Sequence, residues 1–369
     1  MIEAERNIRV VFCWAEVSGY SAACWQALVR RPGLDVHVIH PERLLPRPNP
    51  FTIAPLLDGI SHEMFDTSRP DIDDYLLNAV TAQRPDVVVL CGWIYWPYTR
   101  LVNARPLAAA RMILGMDTPW RGTVVQRLAR LRLSSFVGGL DLVVAAGERA
   151  AEYARRIGVA DACIRSGFYG FDFQSYAGTA NRRPQPWPRR FLFAGRFAQE
   201  KGLVTLMQAY ATYRSSVTDP WPLTCAGAGP EAHRLNGIPG VTDAGFMQPS
   251  DLIELFGSHG AFVLPSHFEP WGVVIAEAAA AGLPVVCTSA CGAAADVVRP
   301  YYNGVVVPER DVAALARALR WIHDHESCLP EIGCRGQALA HAFSAEAWAE
   351  RWHQYMHDVL DTPPATASA

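Results

Sequence analysis

The residues best placed for chemistry lie in one run, Pro265-Ser266-His267-Phe268-Glu269-Pro270-Trp271-Gly272-Val273-Val274-Ile275-Ala276-Glu277. It follows Ala261–Leu264, a short apolar stretch that reads as a buried strand. Gly272 is placed to begin a helix that continues through Ala278-Ala279-Ala280-Ala281 and stops at Gly282. Glu269 then lies in the loop, and Glu277 a little over one turn inside the helix. Free amides near Gly272–Val274 suit a phosphate. A carboxylate before the helix suits sugar hydroxyls, and one inside it suits a ribose diol. The plainer reading makes Glu269 a neighbour of the helix cap and Glu277 a surface glutamate. It is disfavoured because Glu277 sits among alanines, where an unpaired charge is costly.

A second candidate is Gly195-Arg196, directly after the apolar run Arg190–Ala194, with Glu200-Lys201-Gly202 opening the next helix. Arg196 and Lys201 flank one strand-to-helix loop. Two cations beside a helix N-terminus make an anion site, and a diphosphate is the obvious anion. Two solvated surface charges are the alternative. Of 33 Lys and Arg residues, Lys201 is the single lysine. Arginine replaces lysine readily on a surface, but not where a compact point charge is required. A third loop, Ala226-Gly227-Ala228-Gly229-Pro230, also follows a strand; its glycines permit close backbone approach, which is a weak signal alone.

These loops need a scaffold, and the rest of the chain reads as one. Asn7–Cys13, Leu34–His40, Asp86–Cys91, Arg111–Gly115 and Asp141–Ala145 are apolar strand-like runs, separated by helical pattern. A helix is expected near Ala22–Arg31, and proline-rich Pro41–Asp71 reads as irregular. The pattern stops at Asp172–Arg190, a polar linker candidate, and restarts. Arg190–Ala194, Pro222–Ala226, Val241–Ala244, Ala261–Leu264, Pro284–Cys287 and Gly304–Val307 are further strands. Helices follow at Arg317–Asp324, Ile332–His341 and Ala345–Leu360. The fold class is α/β: two doubly wound, Rossmann-like domains facing a cleft, residues 1–175 and 190–344. The helix at 345–360 is assigned to the first domain and the tail at 361–369 to disorder.

Composition narrows the class. The chain has 369 residues, half of them hydrophobic and 19% charged, with a net charge of −3. That balance excludes a disordered protein and a basic nucleic-acid surface. No apolar run is long enough to span a bilayer, and polar Met1–Arg9 predicts no signal peptide. The nine cysteines are scattered, without a zinc spacing, and read as reduced thiols of a cytosolic protein.

The run Glu269–Glu277 resembles the E-x7-E motif of retaining glycosyltransferases of family 4, which have the GT-B fold. Gly195-Arg196 with Glu200-Lys201-Gly202 resembles that family's GR…EKG segment, and Ala226–Pro230 its GxGP loop. Gly245-Phe246, Ala281-Gly282-Leu283-Pro284-Val285 and Asn303-Gly304-Val305-Val306-Val307-Pro308 match in the same order. Residues 345–360 are similar to the family's C-terminal helix that crosses back to the first domain.

The resemblance implies a nucleotide diphosphate-sugar as donor and a hydroxyl of a glycan, lipid-linked glycan or small molecule as acceptor. Arg196 and Lys201 would hold the diphosphate with the backbone near Trp271, Gly272, Val273 and Val274. Glu269 would take the donor sugar's hydroxyls and Glu277 the ribose. Gly195, Gly227 and Gly229 would line the nucleoside, with Phe246 and Met247 beside the base. No metal and no cofactor are implied, and the anomeric configuration is retained. In the first domain a single-glycine loop, Ser18-Gly19, would approach the phosphates. Asp117 stands where many members place a histidine near the sugar, and a helix N-cap explains it equally well. Together with Glu269, Arg196 and Lys201 it completes the expected catalytic set. Trp93 and Trp96 are acceptor-stacking candidates, with core packing as the alternative. Arg121, Arg127, Arg130 and Arg132 among Val124, Val125, Leu128, Leu131 and Leu133 form a basic amphipathic helix. It would allow peripheral contact with the inner face of a membrane, and a helix packed on the sheet with solvated arginines explains it as well. A nucleotide-sugar epimerase or a phosphorylase of the same fold, or an inactive nucleotide-sugar-binding subunit, are the competing readings.

Overall fold

The computed structural model describes residues 6–42, 51–93 and 95–362. They form two units, 1–170 together with 345–369, and 171–344.

The first unit is a seven-stranded parallel sheet in the order β3-β2-β1-β4-β5-β6-β7. Its strands are β1 (Ile8–Cys13), β2 (Leu34–Pro41), β3 (Ser61–Phe65), β4 (Val87–Leu90), β5 (Arg111–Met116), β6 (Leu142–Ala145) and β7 (Ile164–Ser166). The central strands are apolar on both faces because helices cover both, as VVVL of β4 shows. On one face the helix Ala345–Asp361 packs beside Gly19–Val29. Phe12, Trp25, Trp348 and Trp352 are fully buried there, with the rings of Trp348 and Trp352 stacked at 5.0 Å. Both indole N–H groups find carbonyl partners, Trp348 on Phe168 at 2.8 Å and Trp352 on Gly167 at 3.3 Å. The C-terminal helix thus packs within the first unit.

The second unit is a six-stranded parallel sheet in the order β10-β9-β8-β11-β12-β13. Its strands are β8 (Phe191–Ala194), β9 (Leu223–Ala226), β10 (Val241–Gly245), β11 (Ala261–Leu264), β12 (Val285–Thr288) and β13 (Gly304–Val307). In each sheet the strand order reverses once, between β1 and β4 and between β8 and β11. Ligands of open parallel sheets bind beyond the strand ends at such reversals.

Three expectations need correcting. The segment 41–71 is not irregular throughout: it carries a short helix, Ile53–Leu56, and edge strand β3. β3 reads SHEMF, and only Phe65 is buried, so it lacks the apolar run of a central strand. β7 was also missed, being three residues long at the other edge. Finally, Asp172–Arg190 is not a free linker. Asp172 caps the helix Phe173–Asn181, accepting from the Ser175 amide at 3.1 Å. Arg183 is buried, and its guanidinium donates to the carbonyls of His259, Phe256 and Ala281 at 3.2, 3.4 and 2.5 Å. These carbonyls lie at or just beyond the C-terminal ends of two helices, Pro249–Gly257 and Val273–Ala280. A cation is favourable there. Burial lowers the Arg183 pKa to about 10, so it stays charged at neutral pH. Proline and arginine content hid a segment that is fixed by these bonds. The expected disorder of the tail falls mostly on 363–369, outside the described residues, and Asp361 is the last helical residue.

Arg183→Met removes three charge-assisted bonds. It is expected to lower unfolding free energy by about 2–5 kcal/mol in urea denaturation. A loss below about 0.5 kcal/mol, the range of an ordinary surface substitution, would contradict the clamp.

Candidate functional site

The loops after β8 and β11 leave the sheet on either side of its reversal, and backbone bonds tie them together. The amides of His267 and Phe268 donate to the Glu200 carbonyl at 2.7 and 3.3 Å. The Lys201 ammonium and the Glu269 carboxylate then meet in an ion pair, with side chains only 14% and 11% exposed. The helix expected to open at Glu200 begins later. Gln199–Lys201 is a single 3-10 turn, Gly202 turns with φ +72°, and the helix runs Leu203–Ser215. A Cβ on Gly202 would lie 2.1 Å from the Pro265 carbonyl, so only glycine lets the two loops close on each other. Arg196 is half exposed and pairs with Glu200 at 2.6 Å.

Glu269 is held by its backbone as well. It bridges to Cys291, and the Gly292 amide donates to its carbonyl at 3.2 Å. The thiol of Cys291 is pushed up to about 11, by burial first and then by Glu269, so it is no nucleophile. Gly272 caps the helix Val273–Ala280, as expected, and the amides of Val273 and Val274 stand in its first turn. The Trp271 side chain points away from this edge. It is buried against Phe343, with its indole N–H on Asp296 at 2.7 Å. Trp271 therefore anchors the helix start, and only its backbone belongs to the site.

Gly195, Gly227 and Gly229 lie in the loops after β8 and β9. A Cβ on Gly227 would sit 1.9 Å from the Gly195 carbonyl, and one on Gly229 2.4 Å from the Phe197 carbonyl. The glycine character of Gly227 and Gly229 is thus explained by loop-on-loop packing, whereas a Cβ on Gly195 would meet only the Phe193 ring at 3.7 Å. Phe246 and Met247 follow β10, Phe246 being exposed and Met247 partly so.

Glu277 is partly buried, and the Tyr176 hydroxyl hydrogen-bonds its carboxylate. Desolvation pushes the carboxyl up to about 7; the Tyr176 bond opposes the rise, and nearby Asp172 adds to it. Tyr176 was not expected at the site. Its signal was available: Asp172 followed by Phe173, Tyr176, Ala177 and Ala180 is a capped helix with one apolar face.

In the first unit, Ser18 is the N-cap of Gly19–Val29, and its hydroxyl is engaged with Ser21 in a capping box. Asp117 is not a helix cap, since Thr123 caps the helix Val124–Gly138. Instead Asp117 accepts the Tyr169 hydroxyl at 2.9 Å. Trp93 is partly buried and packs edge-on against Tyr153 at 5.8 Å, at the margin of the first unit's core. Trp96 is 45% exposed, with Arg132 over its ring at 5.8 Å.

Residues 180–333 match the family described as glycosyl transferases group 1. Over 153 residues the chain is 37% identical to glycogen synthase of Mycobacterium tuberculosis, covering 39% of this chain and 36% of that protein. It is 28% identical over 266 residues to D-rhamnosyltransferase WbpZ of Pseudomonas aeruginosa, covering 66% of each. The chain thus spans about a third of the length of the glycogen synthase it matches. The crystal structure of Anabaena Alr3699/HepE in complex with UDP is similar, with a TM-score of 0.75 at 17% identity. That match covers 95% of this chain and all of the other. The fold is that of the GT-B glycosyltransferases, two parallel-sheet Rossmann-like units.

The raised Glu277 carboxyl has a stability consequence. An unfolded glutamate loses its proton near 4.5 and this one near 7 in the folded protein. The folded state binds more protons in that window, so this group's contribution to stability falls as pH rises through it. Glu277→Gln is expected to flatten the decline and to be the more stable form at pH 8. Thermal melts at pH 5 and pH 8 check this; equal shifts at both would contradict it.

Proposed function

We propose that the protein is a retaining, metal-independent glycosyltransferase of family 4. It moves a sugar from a nucleotide diphosphate-sugar to a hydroxyl acceptor in the synthesis of a polysaccharide or glycoconjugate. The observation that carries this reading is the Lys201–Glu269 pair at the β8/β11 reversal, beside the first turn of Val273–Ala280. Lys201, Arg196 and the amides of Val273 and Val274 supply positive potential for a diphosphate. Glu269 accepts hydroxyls of the donor sugar, and Glu277 accepts the ribose diol. In transfer, the bond between the anomeric carbon and the leaving phosphate oxygen breaks. The acceptor oxygen bonds to that carbon on the same face, and its proton passes to the leaving phosphate. No protein nucleophile is required, and the cations hold the departing diphosphate charge. Similarity of residues 180–333 to glycosyl transferases group 1 supports the reading, as does the UDP named with the Anabaena structure.

The acceptor side carries a second element of the proposal, contact with an anionic lipid surface. The helix Val124–Gly138 turns Ala129, Leu133 and Phe136 inward and leaves Val124, Val125, Leu128 and Leu131 exposed, Leu131 by 79%. Arg121, Arg127, Arg130 and Arg132 are exposed around that apolar stripe, and Trp96 lies under Arg132. Apolar side chains flanked by arginines suit a headgroup boundary. Among the described residues no helix is long and apolar enough to cross a membrane.

Transfer is tested with UDP-, GDP-, ADP- and TDP-sugars in the presence of chelator. One donor is expected to turn over, and Glu269→Ala to lose about 100-fold or more in kcat while still folding, at a melting temperature lowered because Lys201 loses its partner. Full activity in Glu269→Ala would overturn the assignment. In vesicle sedimentation the protein is expected to bind phosphatidylglycerol-containing vesicles but not neutral ones, and Leu128→Ser with Leu131→Ser to release it. Equal binding by that variant would remove the membrane element.

A further inference from the structure

The second unit carries an aromatic patch at the edge of its sheet away from the site. The loops after β8, β9, β10 and β11 leave the carboxyl edge of this parallel sheet. The turn 299–303 enters β13 and so lies at the amino edge, where the helix Val312–Asp324 also ends. There the Tyr301 ring meets Trp321 at 5.5 Å, with planes at 72°. His325 stacks on Trp321 at 4.6 Å, and its Nδ1–H donates to the Trp321 carbonyl at 2.8 Å. That bond leaves Nε2 as the acceptor of the neutral ring.

The backbone gives a second, independent sign. Tyr301 has φ +61°, a left-handed conformation suited to Gly or Asn and strained for a bulky side chain. Polar bonds, not the Tyr301 ring, fix the turn. Asn303 is fully buried, its side-chain oxygen accepting from the Arg299 amide at 2.6 Å and its side-chain nitrogen donating to the Val297 carbonyl at 3.0 Å. The Tyr301 amide donates to the Gly304 carbonyl at 2.7 Å. Arg335 lies over the Tyr302 ring at 4.8 Å and donates to the Tyr302 carbonyl at 3.4 Å. Tyr301 stays 66% exposed, and among the described residues its hydroxyl has no partner. A ring held outward against backbone strain marks a functional position rather than a packing one.

The surroundings of the rings narrow the ligand. Among the described residues, the other large apolar side chains exposed on this unit are Tyr302, Val204 and Phe246. Val204 follows β8 and Phe246 follows β10, both at the carboxyl edge. The patch thus lacks the aliphatic surround of the Val124–Gly138 stripe. A stable protein interface takes roughly 800 Å² from each partner, more than these rings supply. A sugar fits better: its C–H hydrogens meet the negative face of an aromatic ring, and its hydroxyls meet polar groups at the rim.

We propose that Tyr301, Trp321 and His325 form a platform for a pyranose unit of a soluble glycan, separate from the transfer site. Tyr301 and Trp321 take the C–H face of the sugar, and His325 Nε2 accepts one hydroxyl. The platform stands or falls apart from the glycosyl-transfer reading, since its test needs no turnover.

Native gels cast with glycogen, dextran, mannan or xylan provide that test. At least one of these glycans is expected to retard the wild-type protein. Tyr301→Gly and Trp321→Ala are each expected to weaken the apparent affinity about tenfold. Tyr301→Gly also relieves the left-handed strain, so its melting temperature is expected to equal or exceed that of the wild type. If it melts lower, Tyr301→Asn, which tolerates the same φ, takes its place in the gels. Donor hydrolysis is expected to be equal in wild type and variants, because the platform lies at the other edge of the sheet. No retardation by any of the four glycans, or equal retardation of wild type and variants, would overturn the proposal. A wild-type dimer in sedimentation that Tyr301→Gly dissociates would overturn it in favour of an interface between copies of this chain. A protein retarded by a glycan yet inactive on every donor would keep the platform and overturn the glycosyl-transfer reading.

Discussion

The second unit is organised around one ion pair, Lys201 with Glu269. Neither side chain is more than 14% exposed, and charges so placed are tolerated only when they are paired. Meeting this constraint fixes the surrounding backbone. Gly202 must turn left-handed beneath Pro265, the amides of His267 and Phe268 must reach Glu200, and Gly292 must hold the Glu269 carbonyl. The result is two loops bonded to each other at the place where this sheet's strand order reverses. A surface lysine would do none of this, which gives a physical reason for the chain's single lysine standing here among arginines.

Much of this was legible in the sequence, because parallel strands buried on both faces announce themselves. FLFA, AFVL and VVCT lie within a residue of where the apolar runs place them. The elements missed were those whose burial is one-sided or local. β3 exposes most of its side chains, and β7 is only three residues long. The helix Phe173–Asn181 was masked by the arginines and prolines that follow it. That omission also hid Tyr176, the hydrogen-bond partner of Glu277. Loop residues were readable by type but not by direction. Trp271 was placed correctly in the chain, yet its ring serves the core and only its backbone serves the site.

The two units differ in how their chemistry is encoded. In the second, each of two adjacent loops carries its own groups close together in sequence, Arg196 with Lys201 and Glu269 with the amides of Val273 and Val274, so each loop is recognisable by itself, although Lys201 and Glu269 lie 68 residues apart. In the first, Asp117, Tyr169 and Tyr20 come from three distant segments. No spacing links them, and only the sheet brings them together. The first unit's aromatic candidates divide in the same way. Trp93 is partly buried with its ring edge-on to Tyr153, whereas Trp96 is at the surface under Arg132. A sequence reading treats the two tryptophans alike, because the difference lies in what stands opposite them.

The central proposal is that the loops joined by the Lys201–Glu269 pair hold a diphosphate without help from a metal ion. Calorimetric titration of UDP, GDP, ADP and TDP in chelator tests it directly, with wild type and Lys201→Met compared. The account predicts that one of these nucleotides binds the wild-type protein, and that Lys201→Met weakens it by about 1–3 kcal/mol, the worth of a charged hydrogen bond. The same affinity in both proteins would contradict it.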